Sequence, residues 1–334
     1  MDWCGNDHLE LRQTVREEYI GAFNKAAIFL AKMMRKQEFE SLFCKLAKRC
    51  PNDMLHSACL THIGMKIVLS CTCTPQICPS ALYRAKSFLL RALKTQSGLT
   101  NGNAAIRSQC LSKLGFCCVR EGRLYEGFEY LNKAVKIQRE RAKISGKIEA
   151  KIILAACHND FAASLMVQSK HLLAIEIRLR HVLPVYEKNL GNHPFTATIL
   201  NCIGNSYHAL GDYDNAIKYV IQLVKIRKQL LGHHQETARS LYDLGVAYSE
   251  KNDFERALEY LKEAANLQLE VLDTYDELIH THQTMSIVLR CLGRNEEAEE
   301  EMTRAEESAK KLDSWEAPME MLRTQELEFD WNHF

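Results

Sequence analysis

Apolar residues recur at three- and four-residue steps along most of the chain, the spacing that lines one face of an α-helix. From Ala197 to Ala209 the positions Leu200, Ile203 and Tyr207 follow it, and Leu210 closes the run. Gly211 then offers a left-handed stop and Asp212 a side-chain oxygen to cap the next helix. The pattern resumes from about Asp214 to Leu231, roughly 27 Å of helix at 1.5 Å per residue. The predicted unit is a helix, a tight turn and a second helix. One such hairpin cannot bury both apolar faces, so it must stack on others.

The units recur. ILNCIGNSYHALGDYDNAIKYVIQL, SLYDLGVAYSEKNDFERALEYLKEA and THQTMSIVLRCLGRNEEAEEEMTRA align with Gly204, Gly245 and Ser286 in one column and Tyr207, Tyr248 and Leu289 in another. Gly211, Asn252 and Gly293 form a third column, Ala216, Ala257 and Ala298 a fourth. Upstream, Gly115, Cys118, Gly122 and Gly127 keep the register, as do Ala162, Ser169 and Ala174. Weaker copies occur at Gly64 with Ala85 and at Gln37, Phe39 and Leu42. The fourth column, read as Leu42, Ala85, Gly127, Ala174, Ala216, Ala257 and Ala298, counts about seven units at steps of 41 to 47.

Small residues at Gly204 and Ala216 let the two helices of a unit approach closely, so a large side chain at Gly204 should overpack the hairpin. Three stretches depart from the pattern. Cys71–Pro79 (CTCTPQICP) adds about nine residues with two prolines and reads as a loop between helices. The step of 47 predicts a longer linker over Arg141–Ala150. Pro184, inside a helical pattern, predicts a bend or an end.

Leu114-Gly115, Ile203-Gly204-x-x-Tyr207 and Leu244-Gly245-x-x-Tyr248, with an alanine nine residues after each tyrosine, resemble the tetratricopeptide repeat. That repeat usually has a 34-residue period. The longer one here, with linkers LGNHPFTA and LGHHQETA, resembles the kinesin-light-chain and nephrocystin-like class. The resemblance implies an all-α fold, a right-handed superhelix (solenoid) of about seven helix-turn-helix units whose first helices line a concave groove. The expected parts are degenerate repeats over 1–109, regular repeats over 110–312, and a capping helix with an acidic tail over 313–334. HEAT and armadillo repeats have similar periods but lack the Gly-x-x-Tyr spacing.

It also implies partner binding rather than catalysis. First-helix positions outside the apolar columns are the candidates: Ser112, Lys113, Phe116 and Arg120, then Asn159, Asp160 and Met166, then Asn201, Asn205 and His208. The last two units add Arg239, Tyr242, Asp243, Ser249, Gln283 and Arg290. An asparagine donates and accepts, so Asn159, Asn201 and Asn205 suit the backbone of an extended peptide. Lys113, Arg120, Arg239 and Arg290 suit acidic side chains. Kinesin-light-chain relatives carry asparagine in the Asn159 and Asn201 columns. Tyr242 and Gln283 break that match.

Composition narrows the field. Among 334 residues, 46% are hydrophobic and 25% charged, enough for a core and inconsistent with wholesale disorder. Six prolines and 15 glycines supply too little turn chemistry for a sandwich of short strands. The net charge of +1 hides an asymmetry: residues 1–167 carry a net +11 and 168–334 a net −10. No carboxylate occurs from Met54 to Arg120, where eight Lys and Arg stand, and 294–330 holds 13 acidic against 5 basic residues. Such polarity bears on association rather than on fold and opens the option of self-association through opposite halves. Aromatic platforms are sparse in the basic stretch, with only Tyr83, Phe88 and Phe116, which argues against nucleic acid.

The polar start MDWCGNDH has no secretory pattern, and the apolar run Ile20–Met34 is broken by Asn24, Lys25 and Lys32. With 13 cysteines, an odd number, the expectation is a reduced cytoplasmic protein with free thiols and no membrane contact. The Cys71, Cys73 and Cys78 cluster, with Cys50, Cys59 or His62 as a fourth ligand, supports a second reading as a zinc-binding or redox-responsive domain, though its spacing is not that of paired zinc thiolates. His193 and His234 share a linker column and read as turn residues. No phosphate loop, nucleophile elbow or His-Glu-x-x-His occurs. The reading is a non-catalytic scaffold or adaptor without cofactor, holding an extended, partly acidic peptide in its groove. The tail LEFDWNHF (Leu327–Phe334) has Phe329-Asp330-Trp331, similar to the tryptophan-acidic peptides that kinesin light chains bind. A helix over Trp315–Leu327 that caps the last repeat is preferred to a docked tail.

Overall fold

The computed structural model describes residues 42–46, 58–65, 79–97, 103–271 and 275–325, with side chains in the last segment over 276–311. The Cys71–Cys78 cluster and the Leu327–Phe334 tail lie outside them. Every regular element among the described residues is helical. The chain divides into two compact units, Met1–Val185 and Tyr186–Phe334.

In the first unit, helical residues 42–46 and 58–65 precede α1 (Pro79–Ser97), α2 (Ala104–Arg120), α3 (Leu124–Ser145) and α4 (Ile148–Val167). Next come α5 (His171–Ile177), a π-helical turn (Arg178–Val182) and α6 (Leu183–Leu190), within which the division falls. The second unit holds α7 (Pro194–Ala209), α8 (Tyr213–Leu231), α9 (Gln235–Glu250), α10 (Phe254–Glu270), α11 (Tyr275–Cys291) and α12 (Asn295–Gln325). Within it each helix packs on the next, the pairwise stacking that the repeats predict.

Two small-residue columns make the hairpins. In the first, the helices come so close at two glycines that a side chain would clash: a Cβ on Gly245 would stand 2.7 Å from Leu261 Cγ, and one on Gly204 2.8 Å from Val220 Cγ2. In the second, the turn after each first helix needs positive φ. Gly122, Gly211 and Gly293 adopt 82°, 74° and 75°, and the same position is held by Ser169 at 56° and Asn252 at 64°. Aromatic pairs repeat with the same period. Tyr207 stacks on Tyr219 with centroids 5.7 Å apart, and Tyr248 on Tyr260 at 5.4 Å.

Helix starts follow the sequence closely. Asp212 accepts from the Asn215 amide at 3.1 Å. His193 and His234 cap α7 and α9, each Nδ1 accepting from the amide two residues on at 3.1 Å. That assigns the histidine linker column a local structural task.

The expected linker over Arg141–Ala150 is not there. α3 runs on to Ser145, Gly146 closes it at φ 61°, and α4 begins at Ile148. The extra residues of that step instead lengthen helices, α3 to 22 residues and α4 to 20, against 16 for α7 and α9. Lys143, a strong helix former, together with Ile144 gives the extension no reason to stop before glycine. At Pro184 the helix neither ends nor continues regularly. The π turn Arg178–Val182 ends two residues before it, absorbing the amide that proline lacks. α4 is long and apolar enough to cross a membrane by length and composition, with a mean hydropathy of 1.2 over its window, yet it packs against α2, α3 and α5.

Candidate binding wall in the second unit

The first helices of the second unit present one stripe each outside the core columns, because positions i, i+4 and i+7 share a helix face. On α7 the stripe is Asn201, Asn205 and His208; on α9 it is Tyr242, Val246 and Ser249; on α11 it is Gln283, Ile287 and Arg290. The 41-residue period puts them in three columns. Each lies three before, one after and four after the glycine column that faces the second helix.

Between α7, α8 and α9 the stripes flank a cavity of about 150 Å³. Asn205, His208, Tyr242, Asp243 and Val246 form its walls, and Gly204, Ala216 and Val220 its floor. The missing side chain at Gly204 thus serves the hairpin and leaves this space open. Two wall atoms, Asn201 Oδ1 and His208 Nε2, are buried and make no hydrogen bond among the described residues. A buried polar atom without a partner costs about 1–3 kcal/mol, which a ligand group can recover. The His208 ring meets Tyr213 edge-on at 5.5 Å, fixing its orientation. Tyr242 Oη and Thr284 Oγ1 are 3.2 Å apart, joining α9 to α11.

Asp243 sets the electrostatics. Burial pushes its carboxyl up to about 6, against the pull of Arg239, Arg227 and His208, while Glu277 adds to the rise. Glu277 accepts from Gln235 through Oε1 at 3.3 Å, and its buried Oε2 has no partner among the described residues. Arg239, Gln283 and Arg290 are exposed. Arg227, half-buried on α8, is held by Glu236 and Ser240. This wall can donate and accept hydrogen bonds along an extended backbone, with cationic side chains at its edges.

Most candidates in the first unit have internal partners. Lys113 Nζ lies 2.6 Å from Asp160 Oδ1, and Ser112 Oγ donates to Asp160 Oδ2 at 2.7 Å. Asn159 Oδ1 accepts from Arg178 Nε at 3.0 Å, and Arg178 Nη1 lies 2.9 Å from Met166 Sδ. Phe116 is buried in a core cluster with Ile63, Leu89 and Leu114. Arg120 is half-buried with Nη2 unpartnered among the described residues.

Sequence reasoning passed over Val246 and Ile287 because both are apolar, yet they sit in the Asn205 column, and Ile287 is 60% exposed. The period alone finds them. Glu277 lay outside the chosen columns. Among the described residues no group of three metal-ligating side chains comes together, and all eight described cysteines are free thiols.

Residues 195–270 match the family model described as "Tetratricopeptide repeat". BtubC (BKLC) from P. vanneervenii is similar in structure, with a TM-score of 0.60 at 18% identity, covering 70% of this chain and 92% of that one. A putative kinesin light chain with nearly identical TPR-like repeats from Podosopora anserina gives 0.54 at 20% identity, covering 64% and 99%. A Rap protein complexed with competence and sporulation factor gives 0.56 at 13% identity, covering 89% and 78%. A comparison with curated proteins finds no match. The fold is that of the tetratricopeptide-repeat solenoids, and the chain carries tetratricopeptide repeats.

Proposed function

We propose that this chain is a non-catalytic scaffold or adaptor of the long-period tetratricopeptide class, acting in the cytoplasm, and that the α7–α9–α11 wall holds an extended, partly acidic peptide. The observation that carries the reading is the cavity between α7 and α9, where the buried Nε2 of His208 stands unpartnered among the described residues beside Asn205, Tyr242 and Asp243, with Asn201 Oδ1 equally unpartnered two turns away on the same helix. Such atoms favour a guest that brings both donors and acceptors, as a peptide backbone does. Ile287 and Val246 offer apolar contacts between the polar columns, and Arg239 and Arg290 pair with carboxylates of the guest. Gln283 extends the asparagine column of Asn201 on α11. The structural relative solved with a bound factor gives the reading a precedent in the same fold. Free thiols at all eight described cysteines suit a reducing compartment.

The test is a peptide library panned against the chain, followed by affinity measurements on Asn201→Ala and Arg239→Glu. Each substitution weakens the enriched peptides, the second most for acidic ones. Equal affinity across all three proteins contradicts the proposal.

A further inference from the structure

Inside the wall, one acid stands without a partner. Half-buried Asp243 lines the cavity of about 150 Å³ between α7, α8 and α9, and among the described residues its carboxyl makes no hydrogen bond and no ion pair. Arg239, one turn back on α9, and Arg227 on α8 pull on it without bonding it, His208 on α7 adds a weaker pull, and Glu277 on α11 pushes the other way. Arg227 is committed to Glu236 and Ser240, and Arg239 is exposed. Burial therefore outweighs these cations and holds the carboxyl up at about 6. In the same cavity, Asn205 forms part of the wall and the buried Nε2 of His208 is unpartnered among the described residues.

These groups call for donors. Both oxygens of Asp243 accept, the amide oxygen of Asn205 accepts, and His208 Nε2 accepts when Nδ1 carries the ring proton. Aliphatic side chains complete the lining, Ala216 and Val220 from α8 and Val246 and Ala247 from α9. A guest group that suits this lining carries a positive charge and several donors on an apolar stem. A guest carboxylate meets Asp243 as a like charge, and an aliphatic or hydroxyl side chain leaves most of the acceptors unanswered. A lysine side chain answers them: the compact ammonium has three N–H donors, and its four-carbon stem lies against the valines and alanines. The planar fork of arginine matches one carboxylate edge rather than acceptors spread over two helices.

We infer that the cavity between α7, α8 and α9 is a specificity pocket for one lysine side chain of the guest peptide, and that Asp243 is the residue that selects it. The inference rests on the reading of the wall as a peptide groove and adds a fixed position to it. The guest is then mixed in charge. Its carboxylates meet Arg239 and Arg290 at the edges, and a single lysine passes inward to Asp243. Acetylation of that lysine removes its charge and releases the guest.

The test is a library of N-acetylated peptides, in which no terminal amine competes, panned against the full chain and against Asp243→Asn, which keeps the shape of the side chain without its charge. Peptides enriched on the unaltered protein carry lysine at one fixed position among acidic residues. Those enriched on Asp243→Asn keep the acidic residues without that lysine. One enriched peptide is then titrated with its lysine intact, replaced by norleucine, or acetylated on the side chain. Both changes weaken binding to the unaltered protein about tenfold or more and leave binding to Asp243→Asn nearly unchanged. Arginine, an acid or no fixed residue at that position, in peptides that still lose affinity with Asn201→Ala, overturns the inference and leaves the peptide groove standing. So does a lysine whose loss costs the same in both proteins, or selection of a terminal amine in its place from an unblocked library. A library that yields no enriched peptide overturns the groove and the pocket together.

Discussion

The Nζ of Lys113 and the Oδ1 of Asp160 lie 2.6 Å apart, joining α2 to α4 across 47 residues and one repeat. The two positions fall in the same column, so a cation and an acid of consecutive first helices neutralise each other. Asp243, in the wall of the second unit, has no directly bonded cation among the described residues. Side chains of Lys113 and Asp160 are about 14% and 13% exposed, and Ser112 completes the carboxylate's bonds. Lys113→Ala should therefore act through stability. Leaving Asp160 unpaired in a half-dry interface costs about 1–3 kcal/mol. Urea unfolding shows that loss, and affinity for a wall-bound peptide is unchanged. A loss of affinity at unchanged stability would place Lys113 in the binding surface instead.

The two glycine columns respond with opposite sign. Ser169 occupies the left-handed position that glycine holds in three other repeats, so Ser169→Gly relieves backbone strain and stabilises by about 0.5–1 kcal/mol. Gly245 faces Leu261 and the Ala257 carbonyl at 3.2 Å, and Gly245→Val forces α9 off α10, costing about 1–3 kcal/mol. Denaturant midpoints of the two variants should move in opposite directions.

These columns also show what the sequence makes legible. Gly204, Gly245, Gly211 and Asp212 each have one local physical task, and a 41-residue period repeats it, so helices, turns and caps could be read directly. The length of α3 and α4 could not, because a longer linker and two longer helices add the same six residues to a repeat. At the wall, the period identified which positions share a face but not which side chains remain unpartnered. Lys113 and Asn201 look alike as polar first-helix residues. Only packing reveals that the first is bonded to Asp160 while the second keeps a buried Oδ1 unbonded among the described residues.

Asp243 makes stability depend on pH. Its carboxyl, ordinarily near 3.8, is raised by burial to about 6, so the folded chain holds this proton more tightly than the unfolded one. The stability gained this way is complete below about pH 4 and is lost as pH rises through 6. Asp243→Asn, which stays neutral, matches the unaltered protein at pH 4 and exceeds it at pH 7.5 by on the order of 2 kcal/mol. Urea titrations of both proteins across that range check it. A difference that shrinks with rising pH contradicts it.

Burial also governs the thiols. Cys110, Cys117 and Cys157 are all pushed up to about 12 by desolvation, leaving almost no thiolate near neutrality. With iodoacetamide at pH 8 and peptide mapping by mass spectrometry, exposed Cys291 is alkylated ahead of these three, which react only after denaturation. Rapid native-state alkylation of Cys110 or Cys117 would reopen a redox role.

The account rests on the wall of α7, α9 and α11 gripping an extended chain. Its most direct test is calorimetric titration of a library-selected peptide into the unaltered protein and into Asn201→Ala/His208→Ala. The account predicts affinity about tenfold or more weaker for the variant. Affinity that survives loss of Asn201 and His208 contradicts it.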